Sequence, residues 1–162
     1  MNLITDRTAH DVERWKVLRD KGWDGMTESE KKEWMGEITP VPSAAKGMYT
    51  HKDLNRVESA VKVLSERLAE LGYINELIEV KTDWTYEDEV TRGVMERYYY
   101  NVAALRKHST LYSDTPEAPT INQTLNYERA NNIERILADI DEISTLIPKS
   151  WHYVGEVMSG EV

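Results

Sequence analysis

The sequence predicts a mainly all-α protein: a three-helix bundle with an N-terminal helical hairpin and a small two-stranded β ribbon. Residues 53–72 carry apolar side chains at steps of three and four, which form one stripe on a helix: Leu54, Val57, Val61, Leu64, Leu68 and Leu71. Residues 126–147 repeat this spacing with isoleucines, and residues 91–108 repeat it with mixed aliphatic and aromatic side chains. Two further segments alternate apolar and polar residues, as strands do.

The N-terminal hairpin, residues 1–36, is predicted from two short amphipathic helices. The first is expected to have Thr5 or Asp6 as its N-cap and to stop at Gly22. The second is expected to begin at Thr27, because Glu30 follows at the spacing of a capping box. Large aromatic residues on short helices are usually buried, so three tryptophans are predicted to pack together or to dock the hairpin on the bundle: Trp15, Trp23 and Trp34.

The remainder of the single predicted domain, which spans all 162 residues, is a linker followed by the bundle. Residues 37–50 contain two prolines and small residues and are predicted to be the linker; residues 51–162 form the bundle and ribbon. Thr50 or Asp53 can cap the central helix, and Gly72 can adopt the left-handed conformation that ends it. Thr91 is expected to cap the second core helix, which ends near His108.

The β ribbon is predicted from residues 73–84 and 151–157. Ile74, Ile78, Val80 and Trp84 share one parity in the first segment, and Trp151, Tyr153 and Val157 share one parity in the second. Pro148 is expected to end the third core helix before the second strand. Between the second and third helices, residues 111–125 are rich in Pro, Thr and Ser and are predicted to form a long surface loop.

Composition excludes several classes of function. The chain has 29 acidic and 20 basic residues, a formal charge of -9, so we expect no nucleic-acid partner. The absence of cysteine excludes disulfides and thiolate chemistry. The chain shows neither a signal peptide nor an uncharged run of membrane-spanning length, so we expect no membrane insertion.

No cofactor, metal or catalytic motif is found in the sequence. There is no Walker loop, dinucleotide fingerprint or GxSxG elbow. The four histidines are far apart in the sequence and predict no metal site: His10, His51, His108 and His152. We expect the protein not to be an enzyme, although a hydrolase that uses a scattered carboxylate pair leaves no sequence signature and stays open.

The aromatic residues are the candidate contact residues for a partner. Phe is absent, whereas Trp numbers five and Tyr nine, so every aromatic ring carries a polar edge. The triplet Tyr98 to Tyr100 spreads around a helix, so at most two of its rings can be buried. The triplet, the 111–125 loop and residues 151–153 are the predicted contact surfaces. The candidate partner-binding or glycan-binding residues are Trp84, Tyr86, Tyr99, Tyr112, Trp151 and Tyr153.

Four stretches together resemble a family of uncharacterised proteins encoded among tail and baseplate genes of phages and prophages of Gram-positive bacteria. They are DRTAHDVERWKVLRDKGWDGMTESEKKEW (6–34), YTHKDLNRVESAV (49–61), VKTDW (80–84) and NYERANNIERILADIDE (126–142). The resemblance brings no catalytic residues. It implies a non-enzymatic structural or adhesion component of a phage-like tail or baseplate, located in the virion or, during assembly, in the bacterial cytoplasm.

The expected partners under this resemblance are other tail or baseplate proteins and a host cell-wall glycan, and a homo-oligomer stays open. The alternative is a carbohydrate-binding module that uses exposed Trp and Tyr rings. Such a module needs two or three rings exposed on one surface, and the candidates for these rings are Trp84, Tyr86, Trp151 and Tyr153.

Overall fold

The computed structural model describes residues 1–74 and 78–158, with side chains described up to residue 148. Within this part the elements are α1 (Ala9–Lys21), a 3-10 turn (Trp23–Gly25), α2 (Glu28–Met35), α3 (Ala44–Gly47), α4 (His51–Glu70), α5 (Arg92–Lys107) and α6 (Tyr127–Met158). The described residues contain no strand. The mainly all-α class is therefore confirmed, and the prediction of a two-stranded β ribbon is wrong.

Helices α4 and α6 run in the same direction through the bundle. Near the start of α4, Arg56 binds Glu134 of α6, and near its end Arg67 binds Asp141 further along α6. The predicted apolar stripes face each other between them and bury these residues, among others: Leu54, Val57, Val61, Leu64, Leu68, Ile133, Ile136, Leu137 and Ile140. This confirms the two predicted stripes as the core.

Helix α5 is parallel to the other two. The hydroxyl of Tyr98, in its second turn, lies against that of Tyr49, just before α4. Ser109, just after its end, lines a small cavity with Leu68 near the end of α4. Because all three core helices are parallel, residues 78–91 and 108–126 each run back along the bundle.

The first return segment explains why the predicted strand 73–84 is wrong. Residues 75–77 of this predicted strand lie outside the described part. The N–H of Lys81 donates to the carboxylate of Glu58 at 2.7 Å, and Trp84 exchanges two hydrogen bonds with the side chain of Asn55, at 2.7 and 2.8 Å. Side chains of α4 therefore satisfy backbone groups that a neighbouring strand would otherwise pair with.

Helix α6 continues through Pro148 to Met158, so the predictions of a helix end at Pro148 and of a strand at 151–157 are wrong. Pro148 removes one backbone hydrogen bond from the helix. The helix can nevertheless continue past it, because extending a helix that has already formed does not carry the cost of starting a new one. At about 1.5 Å per residue, the helix is about 48 Å long. The side chains of Trp151 and Tyr153 lie outside the described part.

Local capping signals set the starts of several helices. The capping box at Thr27, the cap at Thr50 and the cap at Thr91 are confirmed. The first helix instead begins at Ala9 with Thr8 as its cap, so the prediction of Thr5 or Asp6 is wrong. The residues before Thr8 are held against α6, where the N–H of Ile4 donates to Glu134 at 2.6 Å.

The N-terminal helices enclose a second, smaller core. Leu18, Met26 and Ala44 are buried in it, with Trp15 and Trp34 packed partly buried against them, whereas Trp23 is 48 % exposed. Residues 37–50 were predicted to be a linker. They instead include a short helix, α3, that packs on α1 and α2.

Both ends of α3 make close contacts with α1 or α2. The carboxylates of Asp11 and Glu33 accept hydrogen bonds from the N–H groups of Ser43 and Ala44, at 2.6 and 2.9 Å. At the other end, a Cβ added to Gly47 would collide with the backbone carbonyl of Asp11. This position therefore requires glycine.

A candidate binding groove between α1 and α6

A groove of about 340 Å³ lies where α1, the chain between α3 and α4, and the first turn of α6 meet. It is lined by residues 46–49 and 125–127 together with Arg7, Val12, Trp15 and Ala130. We call it the α1–α6 groove. Its volume falls within the range of small-ligand pockets, roughly 300 to 1,000 Å³. Part of its wall is apolar, formed by Val12, Met48, Leu125 and Ala130.

A buried ion-pair cluster of Arg7, Asp53, Arg56 and Glu134 fixes one side of this groove. Nη2 of Arg7 lies 2.9 Å from Asp53 and 2.7 Å from Glu134, and the guanidinium of Arg56 binds both of these carboxylates. Glu134 is fully buried and Arg7 is 4 % exposed. The four charges balance, and the cluster joins the segment before α1 to α4 and α6.

The electrostatics of the cluster keep Arg56 charged. Burial opposes the charge on Arg56, but hydrogen bonds to Glu134 and Asp53 outweigh it and raise the pKa of Arg56 above its ordinary value. Beside the cluster, the guanidinium carbon of Arg7 lies 5.5 Å from the centroid of the Tyr49 ring. Burial raises the pKa of Tyr49 and of its hydrogen-bonded partner Tyr98, so both phenols stay neutral.

Two residues that line the groove have hydrogen-bond donors without a partner. The buried Nε of Arg7 and the buried Nε1 of Trp15 have no hydrogen-bond acceptor within the part of the chain that the structure describes. Leaving a buried donor unpaired costs about 1 to 3 kcal/mol. Both atoms have essentially no solvent-accessible surface, so they are buried within the fold and are not contact points of the groove.

The first turn of α6 adds a further positive field to the groove. Asn126 and Tyr127 line the groove at this helix end, where the helix macrodipole is positive. The side chain of Asn126 accepts a hydrogen bond from the N–H of Arg129 at 2.9 Å. Lys46, on the opposite wall, binds the exposed Asp6 at 2.6 Å. None of the lining residues is acidic.

A second groove, of about 350 Å³, lies on the other side of Tyr49 and Leu125 and contains two of the predicted contact residues. Trp84 is buried there, and its indole N–H donates to Glu58 at 3.0 Å. Tyr86 is 84 % exposed at the same groove. The structure therefore brings Trp84 and Tyr86 together, but only Tyr86 offers its ring to solvent.

The other predicted contact residues are dispersed. Tyr99 is buried edge-on against Tyr98, and Tyr100 is exposed, so the prediction that at most two rings of the triplet are buried is confirmed. Tyr112 lies partly exposed on the 111–125 loop. The side chains of Trp151 and Tyr153 lie outside the described part.

The α1–α6 groove itself was missed by the sequence reasoning. The pattern of residues 1–36 predicts Trp15 only as a core residue, and no pattern marks Arg7. The carboxylates that hold Arg7 are 46 and 127 residues away in the chain, so no local spacing marks it as buried. The only local signal was the excess of tryptophan in the first 36 residues.

Five of the six buried carboxylates among the described residues bind an arginine, and the sixth, Asp11, accepts hydrogen bonds from Thr8 and from the N–H of Ser43. Glu58 accepts two hydrogen bonds from Arg97, and Glu33 accepts from Arg14, as Asp53 and Glu134 do from Arg7. Among the described residues, no group of three or more His, Asp or Glu side chains is placed to hold a metal ion. No helix in the described ranges has the length and apolar character needed to cross a membrane.

Comparison of the chain with protein-family models, with curated proteins and with solved structures finds no match.

Proposed function

We propose that the protein is a non-enzymatic binding component of a phage-like tail or baseplate, located in the virion, and that it contacts a neighbouring protein through the α1–α6 groove. The observation that carries the binding role is the groove itself, where an apolar wall lies beside the polar side chains of Lys46, Asn126 and Tyr127. Binding sites combine such a wall with a few polar groups. The assignment to a tail rests on the four stretches that resemble phage tail and baseplate proteins.

The state of the buried carboxylates supports a binding role over a catalytic one. A general acid or base must exchange a proton with a reacting group within hydrogen-bond reach. Asp53, Glu58 and Glu134 instead accept hydrogen bonds from arginines that also hold the helices together. These carboxylates therefore stabilise the fold, and none of them is available to exchange a proton with a substrate.

Glycan binding at the second groove is the alternative, and the exposure of Tyr86 favours it. Aromatic faces stack on sugars, and Tyr86 shares this groove with His51 and Asp88. The burial of Trp84 leaves Tyr86 as the only exposed predicted ring among those described there. This is fewer than the two or three exposed rings that such a module needs.

The test is a binding assay of the purified protein against purified tail and baseplate proteins and against Gram-positive cell-wall fragments. Tyr127→Ala alters the α1–α6 groove, and Tyr86→Ala is its matched control in the second groove. We expect Tyr127→Ala to weaken binding to a tail or baseplate protein at least tenfold and Tyr86→Ala to leave it unchanged.

Other outcomes would contradict the proposal in distinguishable ways. Binding to wall fragments that only Tyr86→Ala weakens would establish the glycan-binding alternative. Binding to a tail protein that is insensitive to Tyr127→Ala would overturn the role of the α1–α6 groove. Turnover of a glycan, peptide or nucleic acid that is abolished by replacing one carboxylate would overturn the non-enzymatic role.

A further inference from the structure

The solvent-exposed side of helix α5 is a narrow face that points away from the bundle. At about 100° per residue, five exposed residues fall within an arc of about 80° around the helix. We call this the α5 face, and its residues are Arg92, Glu96, Tyr100, Ala103 and Lys107. The buried residues Tyr98, Val102 and Leu105 lie on the opposite side of the helix, in the core.

An exposed aromatic ring occupies the middle of the α5 face. Tyr100 is 57 % exposed, whereas Tyr98 and Tyr99 are buried. Ala103, one turn further along the helix, is a small residue that leaves room for a ring from another helix. Single exposed apolar side chains are common on protein surfaces, so the ring alone does not indicate a partner. The spacing and the charges of the flanking residues do.

Four residues of the α5 face have the spacing by which helices pack in a coiled coil. Glu96, Tyr100, Ala103 and Lys107 follow one another at steps of four, three and four, as the a and d positions of a heptad do. Two copies of α5 can therefore pack antiparallel about a centre midway between Tyr100 and Ala103. Residues equally far from this centre then lie opposite each other. Tyr100 meets Ala103 of the second copy, and Glu96 meets Lys107 of the second copy.

The charges of the α5 face match in this antiparallel arrangement. Each Glu96 lies opposite a Lys107, whereas a parallel pair in register would set like charges against each other, which is unfavourable. Lys107 makes no ion pair within the described part of the chain. Glu96 binds Arg92 at 2.9 Å, but both side chains are more than half exposed, so this pair is weak and leaves the carboxylate able to accept from a second cation.

We propose that the protein forms a two-fold symmetric homodimer through the α5 face, with the two α5 helices antiparallel. The ring of Tyr100 packs on Ala103 of the second copy and Glu96 binds Lys107 of the second copy, each contact occurring twice by symmetry. The contact covers about three turns of one helix, so the interface is smaller than the roughly 1,200 to 2,000 Å² of stable complexes and the dimer is weak. No residue of the α5 face lines the α1–α6 groove, so the dimer carries two free copies of that groove.

The test measures the monomer–dimer equilibrium of the full chain by sedimentation velocity. We expect the wild type to dimerise between about 10 μM and about 1 mM, as a small interface requires. Glu96→Lys and Lys107→Glu each set like charges opposite each other and are expected to weaken dimerisation at least tenfold. The double variant, Glu96→Lys with Lys107→Glu, restores both ion pairs with their signs exchanged and is expected to return to within about threefold of the wild type.

Glu66→Lys, on the exposed face of α4, is the matched control and is expected to leave dimerisation unchanged. Glu96→Lys and Glu66→Lys both reduce the net charge from -9 to -7 (-9 + 2), which by itself favours association. Weakening by Glu96→Lys alone therefore identifies the local contact. Tyr127→Ala, in the α1–α6 groove, is expected to leave dimerisation unchanged, which separates this proposal from the proposed function.

Crosslinking reports the direction of the two helices, because the chain contains no cysteine. Glu96→Cys and Lys107→Cys copies of different mass are mixed and treated with a short bismaleimide. We expect crosslinks between positions 96 and 107 to exceed those that join two copies of the same variant.

Several results would overturn the proposal. A wild type that stays monomeric up to about 1 mM would remove the dimer. A dimer that the single charge changes leave intact, or that the double variant fails to restore, would place the interface elsewhere. Predominant crosslinks between identical positions would contradict the antiparallel arrangement. Circular dichroism of each variant checks that these exposed changes leave the monomer folded.

Discussion

Replacing Glu134 by glutamine should destabilise the protein strongly, although the two side chains have nearly the same shape. Glu134 is fully buried and accepts hydrogen bonds from the N–H of Ile4 at 2.6 Å, from Arg7 at 2.7 Å and from Arg56 at 2.9 Å. Glutamine offers one acceptor oxygen, and its NH₂ group would face these donors. Breaking a buried ion pair by removing one partner costs about 3 to 5 kcal/mol, and we expect a loss of this size.

Urea denaturation followed by tryptophan fluorescence measures this loss, with Glu66→Gln on the exposed face of α4 as the control. The control is expected to change the free energy of unfolding by less than about 0.5 kcal/mol. The double variant Arg7→Met with Glu134→Met removes one charge of each sign and leaves Arg56 paired with Asp53. The double variant should lose less free energy of unfolding than Arg7→Met and Glu134→Met lose together as single variants. Equal small losses for Glu134→Gln and Glu66→Gln would refute the role of the cluster.

Three further predictions test the cores and the N-terminal helices. Leu64→Ala, in the middle of the buried stripe of α4, should lower the free energy of unfolding measured in urea by about 2 to 5 kcal/mol, whereas Glu66→Ala should change it little. Equal small losses for both variants would mean that this stripe faces no core. Gly47→Ala should destabilise by more than about 1 kcal/mol because its Cβ meets the backbone of α1. Gly93→Ala in α5, whose Cβ would meet only the Thr91 hydroxyl at 4.0 Å, should stabilise by about 0.4 to 1 kcal/mol, and a gain in melting temperature for both variants would contradict the tight contact between α3 and α1. Burial opposes ionisation of Glu33, but hydrogen bonds from Arg14 and from the backbone of α3 prevail and lower its pKa below 4.5. The ionised carboxylate therefore stabilises the fold fully above pH 4.5, and this stabilisation is lost as the pH falls further. The melting temperatures of wild type and Glu33→Gln should converge on acidification, and a difference that stays constant with pH would contradict this.

The sequence predicted the features that depend on neighbours close in the chain. The apolar stripes of α4 and α6 follow from a period of three and four, and the caps at Thr27, Thr50 and Thr91 need only the next few residues. Alternation in residues 73–84 placed Trp84 on the same side as Ile74, and both are buried. It could not show that side chains of α4 occupy the place of a partner strand, or that the ring of Trp84, a candidate contact residue, is covered.

The groove could not be predicted because its walls meet only in the folded chain. Glu58 lies on the charged side of the predicted stripe, yet it is buried because Arg97, Trp84 and Lys81 all donate to it from later in the sequence. Arg7 is buried for the same reason. Periodicity assigns a charged side chain to solvent unless its partners are known, and here the partners are distant.

The most direct test of the central claim is photocrosslinking in assembled particles from position 127, which lines the α1–α6 groove. A photoreactive phenylalanine derivative replaces Tyr127 in one variant and the exposed Glu66 in the control. We expect crosslinks from position 127 to a tail or baseplate protein and none from position 66. Crosslinks from position 66 alone, or from neither position, would contradict the claim that this groove holds a neighbouring protein.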